Sequence, residues 1–246
     1  MLRQAKYQLK LQLKSFRKDF DLWRRFWKSY DDYGKLLPAE PPPALDDLYP
    51  CIYDATGQTP MEPTYFYQDT WAFEHIVKQK PQSHIDVGSF YLFVSFLSKV
   101  MPVTMVDIRP LELPLETLTF KQGSILELPF EDNSIHSLSC LCVIEHIGLG
   151  RYGDPLDPHG SEKAVKELCR ILAPGGKLYF SVPVGDRDVT AFNAGRIFTL
   201  QTLAALLLPL QITEQQFIVG RKLQNYYEPS SPFGTTGLFV VTKPNQ

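Results

Sequence analysis

The chain has 246 residues, 44% of them apolar, and a formal net charge of −2, values ordinary for a globular protein large enough for one α/β domain with an appendage. No run approaches the roughly 20 apolar residues of a membrane span; the longest, Leu203 to Leu210, is interrupted by Pro209. The basic N-terminus is not followed by the continuous apolar core of a secretory leader, and Cys51, Cys140, Cys142 and Cys169 show neither zinc spacing nor a disulfide framework. A reducing cytoplasm is the expected compartment. The charge is unevenly spread: through Tyr30, nine Lys or Arg face only Asp19 and Asp21, a local charge of +7 against −9 for the remainder.

Residues 1–37 read as a basic amphipathic helix. Leu9, Leu13, Phe16, Phe20, Trp23, Trp27 and Tyr30 recur at helical spacing and form one stripe, with Lys6, Lys10, Lys14, Arg17, Arg24 and Lys28 on the neighbouring face. Such a helix suits either an anionic membrane surface, where aromatic rings sit at headgroup depth, or docking onto its own domain or a second copy. Nucleic acid is not the expected partner, because the dense basic residues end at Lys28 and the remainder carries a net negative charge. Residues 38–63, with Pro38, Pro41, Pro42, Pro43 and Pro50, cannot continue a helix and are expected to form an extended spacer. The globular domain, 64–246, opens with a helix from Tyr65 to about Lys80, whose Tyr67 and Trp71 are packing residues within reach of a ligand mouth.

From Gln82 to Asp107 the sequence gives a short β-type run ending in Asp86-Val87-Gly88, an apolar helical segment, and a second β-type run that ends on Asp107. In a doubly wound sheet this unit presents backbone N–H groups at the mouth of the first strand and an acid to a ribose 2′-OH. Asp107 lies 19 residues after Gly88, close to the roughly 20 of a nucleotide-binding fingerprint. The spacing points to a nucleoside-containing ligand. Against it, Phe90 and Leu92 stand where further glycines would fall, and the alternative is a plain buried strand-to-helix connection.

Downstream, Leu118 to Lys121 reads as a third strand, Ile135 to Val143 as a fourth, uncharged enough to be buried on both faces, and Lys177 to Val184 as a fifth. The fourth ends in Ile144-Glu145-His146, followed by an irregular stretch from Gly148 to Gly160 that is long enough to suggest a substrate or lid loop. Ser161 is the expected N-cap of a helix carrying Ala164, Val165, Leu168, Ile171 and Leu172 on its apolar face. A further helix over 199–208 and strands Gln211–Val219 and Gly237–Thr242, with a loop from Tyr226 to Thr236, complete the pattern. Alternation of strands and helices, closing on two adjacent strands, predicts a doubly wound α/β fold with a mainly parallel seven-stranded sheet and one antiparallel strand near an edge.

The succession HIDVGS, an acid ending the second strand, LPFEDNSI, VIEHI and KELCRILAPGGKLYFSVP resembles the class I S-adenosylmethionine-dependent methyltransferases, a Rossmann-like fold, from Ile85 to about Thr242. More narrowly, IEHIGLGRYGDPLDP and FNAGRIF are similar to an uncharacterised methyltransferase-like family. The resemblance implies S-adenosylmethionine as cofactor, Asp86, Gly88 and Ser89 in the methionine-end loop, Asp107 on the ribose, and Ser124 and Ile125 beside the adenine. Ser124 stands where the family usually has Asp or Asn, and His136 where its fourth strand usually starts with Asp; with Phe90 and Leu92 these are departures at the cofactor site. A cofactor-binding loop requires the Phe90 and Leu92 side chains to turn away into the sheet–helix interface, and apolar Leu92, Phe93 and Phe96 are expected to receive them.

Methyl transfer asks the protein mainly to align sulfur, methyl and acceptor, with a base where the acceptor is a hydroxyl. Glu145 and His146 leave the fourth strand at the edge where ligands sit, and His146 is the better base by its ordinary pKa near neutrality; it serves equally well as a histidine holding the strand end. Arg151 and Asp154 either orient an acceptor or pair across the loop, and Arg196 suits a carboxylate or phosphate. The expected activity is methyl transfer to a small-molecule or glycan-type acceptor, in the cytoplasm with peripheral membrane contact or self-association through residues 1–33. The competing reading is a non-catalytic Rossmann-like module that has lost the cofactor site.

Overall fold

The computed structural model describes residues 2–37, 39–109, 111–228 and 235–245, with side chains from residue 19 onward. The chain divides into two compact units, Met1–Met61 and Glu62–Gln246.

In the first unit, α1 (Leu2–Lys35) is a single long helix. Of its expected stripe, Leu9, Leu13 and Phe16 lie outside the described side chains, as do Lys6, Lys10, Lys14 and Arg17 on the basic face. The remaining aromatics form a ladder: Trp23 stacks on Trp27 with ring centroids 6.3 Å apart, and Tyr30 meets Trp27 edge-on at 5.9 Å. Phe20 stays 62% exposed. The segment after α1 is not a free spacer. Extended proline-rich backbone leaves its carbonyls unpaired, and side chains of α1 take them: Arg25 donates to Ile52 O and Ala55 O, and Tyr30 to Pro43 O. Ile52 is buried, and a 3-10 turn forms at Leu45–Asp47.

The second unit opens with α2 (Pro63–Gln79), started by Pro63 in the first turn and by the Glu62 carboxylate, which accepts from Thr64 N. Then follow β1 (His84–Val87), α3 (Tyr91–Leu97), β2 (Val103–Asp107), β3 (Leu118–Gln122), β4 (Ile135–Leu141), α4 (Gly160–Ile171) and β5 (Leu172–Pro183). A small hairpin, β6 (Val189–Ala191) with β7 (Gly195–Ile197), precedes α5 (Leu200–Leu207), β8 (Gln211–Val219), β9 (Lys222–Gln224) and β10 (Thr235–Thr242). The main sheet runs β3-β2-β1-β4-β5-β10-β8-β9. Strands β1 to β5 are parallel, and β10 is antiparallel to both β5 and β8. The seven expected strands are thus present in a doubly wound order, and β9 adds a short hairpin at the edge beyond β8.

Two apolar layers cover the sheet. One gathers Leu168, Ile171, Leu203 and Leu207 from α4 and α5 against Leu138, Phe180 and Phe239; the other gathers Trp71, Ile76, Phe93 and Leu97 from α2 and α3 against Met105, Tyr179 and Leu238. Each of these fully buried side chains contributes about 1.5–3 kcal/mol. Strand order reverses between β1 and β4, with β2 and β3 laid down on one side and β5 on the other, so the carboxyl ends of these parallel strands open into a crevice.

Boundaries depart from the sequence pattern where tertiary contacts intervene. β4 stops at Leu141 because Cys142 takes φ +52. Ser161 is not the cap of α4: the helix starts at Gly160, where a Cβ would lie 2.5 Å from Ile147 O, and the Ser161 hydroxyl instead donates to Ile144 O. The last strand starts two residues before Gly237. Of the expected Tyr226–Thr236 loop, residues 229–234 lie outside the described residues.

Among the described residues both apolar layers draw on residues beyond Glu62, so a chain of residues 62–246 is expected to unfold in one cooperative transition. A broad, non-cooperative melt by circular dichroism would show that the first unit is needed for the core.

Candidate active site

A cavity of about 770 Å³ lies at the carboxyl ends of β1, β2 and β4. Its walls come from the loop after β1 (Gly88, Ser89, Phe90), the tip of β2 (Asp107), the turn after β3 (Gly123 to Leu126), the exit of β4 (Cys142, Val143, His146), Tyr65 of α2, and Tyr152 and Asp154 of the following loop.

The first of these loops is fixed from below. Asp86, fully buried, accepts from Ser89 N at 3.1 Å and from Ser139 Oγ at 2.5 Å. Because the Ser139 hydroxyl donates to Asp86, it accepts from His84 Nε2 (2.8 Å), so His84 Nδ1 accepts from Ser137 Oγ (2.7 Å). Ser89 Oγ accepts from Leu141 N on β4. Burial pushes the His84 imidazole down to about 3 and the Asp86 carboxyl up to about 6, the latter opposed by its bonds from Ser139 and Ser89. Asp86 therefore holds the loop and does not line the cavity. Gly88 has φ +68, and a Cβ there would lie 3.2 Å from the Val143 side chain and 3.9 Å from Asp107 Oδ2. A side chain would be strained and crowded at this turn, which favours glycine, and the Asp107 carboxylate stands beside it.

Asp107 is 11% exposed; it accepts from Arg109 N at 2.8 Å and more distantly, at 3.4 Å, from the Arg109 guanidinium. Arg109 also lies over the Tyr152 ring, 4.4 Å from its centroid. Ser124 Oγ accepts from Leu126 N, and Ile125 is buried beside it. His136 is exposed at the amino end of β4, the opposite edge of the sheet from the cavity. That departure from the family pattern leaves the cavity untouched.

Phe90 and Leu92 do not do what the sequence suggested. The buried stripe of α3 is Phe93, Val94 and Leu97, whereas Leu92 and Phe96, four residues apart, share its solvent face at 42% and 66% exposure. Phe90 has an extended backbone before the helix. Its ring stands at the cavity wall against Tyr65 (4.9 Å) and Tyr91 (4.6 Å) without filling the space.

After β4, Glu145 and His146 share one 3-10 turn. Glu145 is 2% exposed, and burial pushes its carboxyl up to about 8. Burial, and then the nearby Arg151 guanidinium, push His146 down to about 4; Arg151 Nη1 lies 3.3 Å from His146 Nδ1 and donates to Ala194 O at 2.9 Å. Burial thus moves the two proton affinities in opposite directions, the carboxyl up and the imidazole down. Arg151 is exposed and outside the cavity lining. Asp154 organises the loop: burial alone would raise its pKa, but N–H donors of Gly148, Tyr152 and Gly150 outweigh burial and hold it below the ordinary range. Arg196 is not free for a ligand anion. It is buried and donates to Ile147 O, Ser161 Oγ, Asp157 O and Pro158 O, fastening the 148–160 stretch in place.

Tyr67 and Trp71 stay out of the cavity; Tyr67 donates to Arg221 O and Trp71 is core. The α2 residues that matter are Tyr65 in the wall and, one turn on, Gln68 and Asp69. Two polar residues at i+3 and i+4 from an aromatic read in the sequence no differently from a solvated pair. Cys142 and Tyr152 also line the cavity, and sequence spacing singled out neither for it.

Among solved structures, the [4+2]-cyclase SpnF matches with a TM-score of 0.54 and 13% identity over 72% of this chain and 81% of its own. The 1,6-didemethyltoxoflavin-N1-methyltransferase of Burkholderia thailandensis, with its substrate and S-adenosylhomocysteine bound, matches with 0.54 and 16% over 93% and 90%. The N-methyltransferase NodS of Bradyrhizobium japonicum, with S-adenosylhomocysteine, matches with 0.52 and 17% over 88% and 98%. The chain has the class I methyltransferase fold. Within that fold, residues 130–216 match the family described as "Caenorhabditis protein of unknown function, DUF268". No curated protein sequence matches. The presence of a cyclase among the matches limits what the methyltransferase fold says about chemistry.

The buried relay beneath this fold's first loop has a pH signature. His84 titrates near 3 when folded against an ordinary 6.5, so the unfolded chain binds its proton first and stability is lost as pH falls through that window. Asp86, raised from 3.8 to about 6, works the other way: the folded state binds the extra proton, and stability is gained on acidification between those values. In His84→Gln only the second effect remains. The difference in unfolding free energy between wild type and variant should shrink by on the order of 4 kcal/mol from pH 6.5 to 3, read by denaturant unfolding at stepped pH. A pH-independent difference would remove the neutral imidazole from the account.

Proposed function

We propose that the protein transfers a methyl group from S-adenosylmethionine to a small-molecule or glycan-type acceptor. The observation that carries this reading is the Asp107 carboxylate standing beside the positive-φ Gly88 at the mouth of a cavity of about 770 Å³. The residues fit the cofactor. Gly88 and Ser89 offer close backbone at its methionine end, Asp107 offers carboxylate oxygens to the ribose hydroxyls, and Ser124 with Ile125 offers a polar and an apolar neighbour to the adenine. Arg109 opposes this only weakly, its long bonds to Asp107 being made by a side chain 58% exposed. The bound cofactor supplies an electrophilic methyl group on a sulfonium.

The chain's own part is alignment and proton handling. The relay from His84 to Ser89 keeps the loop rigid. Tyr65, Phe90 and Tyr152 make apolar walls that exclude water. His146, in the cavity lining, and Glu145, beside it on the same 3-10 turn, are the groups that would take a proton from an acceptor, and Asp154 keeps the adjoining loop in shape. Calorimetry with S-adenosylhomocysteine tests the reading: wild type should bind, and Asp107→Ala should weaken binding by about 1.5–3 kcal/mol, the loss of a charge-assisted hydrogen-bond pair. A folded wild type that binds neither S-adenosylmethionine nor S-adenosylhomocysteine would leave the competing reading, a silent Rossmann-like module.

We also propose that residues 1–33 attach the protein to an anionic membrane surface. Support comes from exposed Phe20, Trp23 and Trp27 on a helix with seven net positive charges through Tyr30; no helix among the described residues is long and apolar enough to cross a membrane. The full chain should sediment with phosphatidylserine vesicles and a chain lacking residues 1–33 should not. Equal sedimentation of both would refute the attachment.

A further inference from the structure

Five rings stand in the cavity lining where the first loop meets the exit of β4: Tyr65, Phe90, Tyr91, His146 and Tyr152. The two segments are close because β1 and β4 are parallel neighbours, pairing Ile85 with Leu138 and Asp86 with Ser139, and a Cβ at Gly88 would lie 3.2 Å from the Val143 side chain. On the loop side, the Phe90 ring sits against Tyr65 of α2 and against Tyr91, with centroids 4.9 Å and 4.6 Å apart. On the β4 side, Tyr152 meets the His146 ring edge-on at 5.7 Å. The guanidiniums of Arg109 and Arg151, 4.4 Å and 5.1 Å from the Tyr152 centroid, pin that ring in place. Yet Tyr65, Tyr91 and Tyr152 stay 43%, 51% and 36% exposed. Large rings left open to water in a concave wall are surface that a ligand covers with gain.

Hydrogen-bonding capacity at this junction is largely spent within the protein. Ser89 Oγ accepts from Leu141 N, and the Asp154 carboxylate accepts from the N–H groups of Gly148, Gly150 and Tyr152. A sugar ring, with a hydroxyl on nearly every carbon, needs a partner for each one that leaves water. A flat aromatic ring needs faces and edges to pack on, and gains from offset or edge-on contact at spacings like those between the rings already there. We propose that this junction is a subsite for an aromatic ring carried by the methyl acceptor, received by Tyr65 and Phe90 on the loop side and by Tyr152 on the β4 side. The subsite rests on the methyl-transfer reading for its purpose and narrows the acceptor to an aromatic small molecule. The groups that would take a proton stand at its edge, His146 in contact with Tyr152 and Glu145 on the same turn. Occupancy is testable without turnover.

The test titrates the full chain with 4-ethylphenol, its saturated counterpart 4-ethylcyclohexanol, and methyl β-glucoside, followed by saturation-transfer NMR, with S-adenosylhomocysteine measured in parallel by calorimetry. Wild type should bind the phenol at least about fivefold more tightly than the cyclohexanol and should not bind the glucoside. Tyr65→Leu and Tyr152→Leu, at positions at least one-third open to solvent, should each lose about fivefold in phenol affinity. Tyr65→Phe and Tyr152→Phe, which keep the ring, should retain it, and all four variants should keep the wild-type affinity for S-adenosylhomocysteine. No phenol binding by wild type, equal binding of phenol and cyclohexanol, or binding of the glucoside in preference to the phenol overturns the subsite, and none of these outcomes needs a variant to fold. Leucine variants that bind the phenol as before, or phenylalanine variants that lose it, overturn it too. All of these leave methyl transfer standing where S-adenosylhomocysteine binds. Preference for the phenol in a wild type that ignores S-adenosylhomocysteine would instead sink methyl transfer and leave the subsite in place.

Discussion

The site depends on one buried chain of hydrogen bonds, running from Ser137 through His84 and Ser139 to Asp86 and on to Ser89 N. It crosses from β4 to β1 and back, and every link sits where water cannot substitute for a lost partner. Its consequence is geometric. With Asp86 tied to Ser89, and Ser89 Oγ tied to Leu141 N, the backbone at Gly88 has one conformation available, and that conformation faces the Asp107 carboxylate. A loop held only by its own turn would leave that distance variable.

Two kinds of buried polar groups coexist around the cavity, and the contrast separates structure from function. Arg196 is buried but makes four donations, three to backbone carbonyls of the stretch after β4 and one to Ser161 Oγ of α4, and it behaves as a fastener. Glu145 is buried more deeply still, and one of its oxygens has no hydrogen-bond partner among the described residues. Desolvation without compensation raises a carboxyl's proton affinity toward neutrality, which suits proton exchange with a ligand. The same burial lowers the proton affinity of His146, which lines the cavity.

Most of the fold was legible in the sequence because its strands are short, apolar and separated by helices of regular period, and because Gly88 and Asp107 keep the spacing that a nucleotide crevice needs. What escaped was set by tertiary contact. Ser161 looks like a cap until the approach of Ile147 O to Gly160 forces the helix to start earlier. Arg196 looks like an anion ligand until the loop carbonyls surround it. The proline-rich 38–63 stretch looks like a spacer until Arg25 and Tyr30 of α1 claim its carbonyls. Gln68 and Asp69 were visible as polar residues in a helix, but nothing in their spacing tells a solvated pair from a buried one.

The loss of glycines after Gly88 follows from the same constraint. In a dinucleotide fingerprint the first glycine allows the tight turn, the second lets the backbone approach the ligand, and the third lets the helix lie close on the strand. Here Gly88 alone has a positive φ in that loop, so the first need is met. Ser89 is held with its side chain turned inward to Leu141 N, which leaves backbone on the cavity side without a glycine. Leu92 sits on the solvent face of α3, so no close contact with β1 occurs at that position and no glycine is required there. Phe90 is the one true substitution of bulk into the cavity wall. Its contact with Tyr65 joins the first loop to α2, so the residue that departs furthest from a nucleotide-binding pattern is the one that ties the first loop to the helix over the cavity mouth.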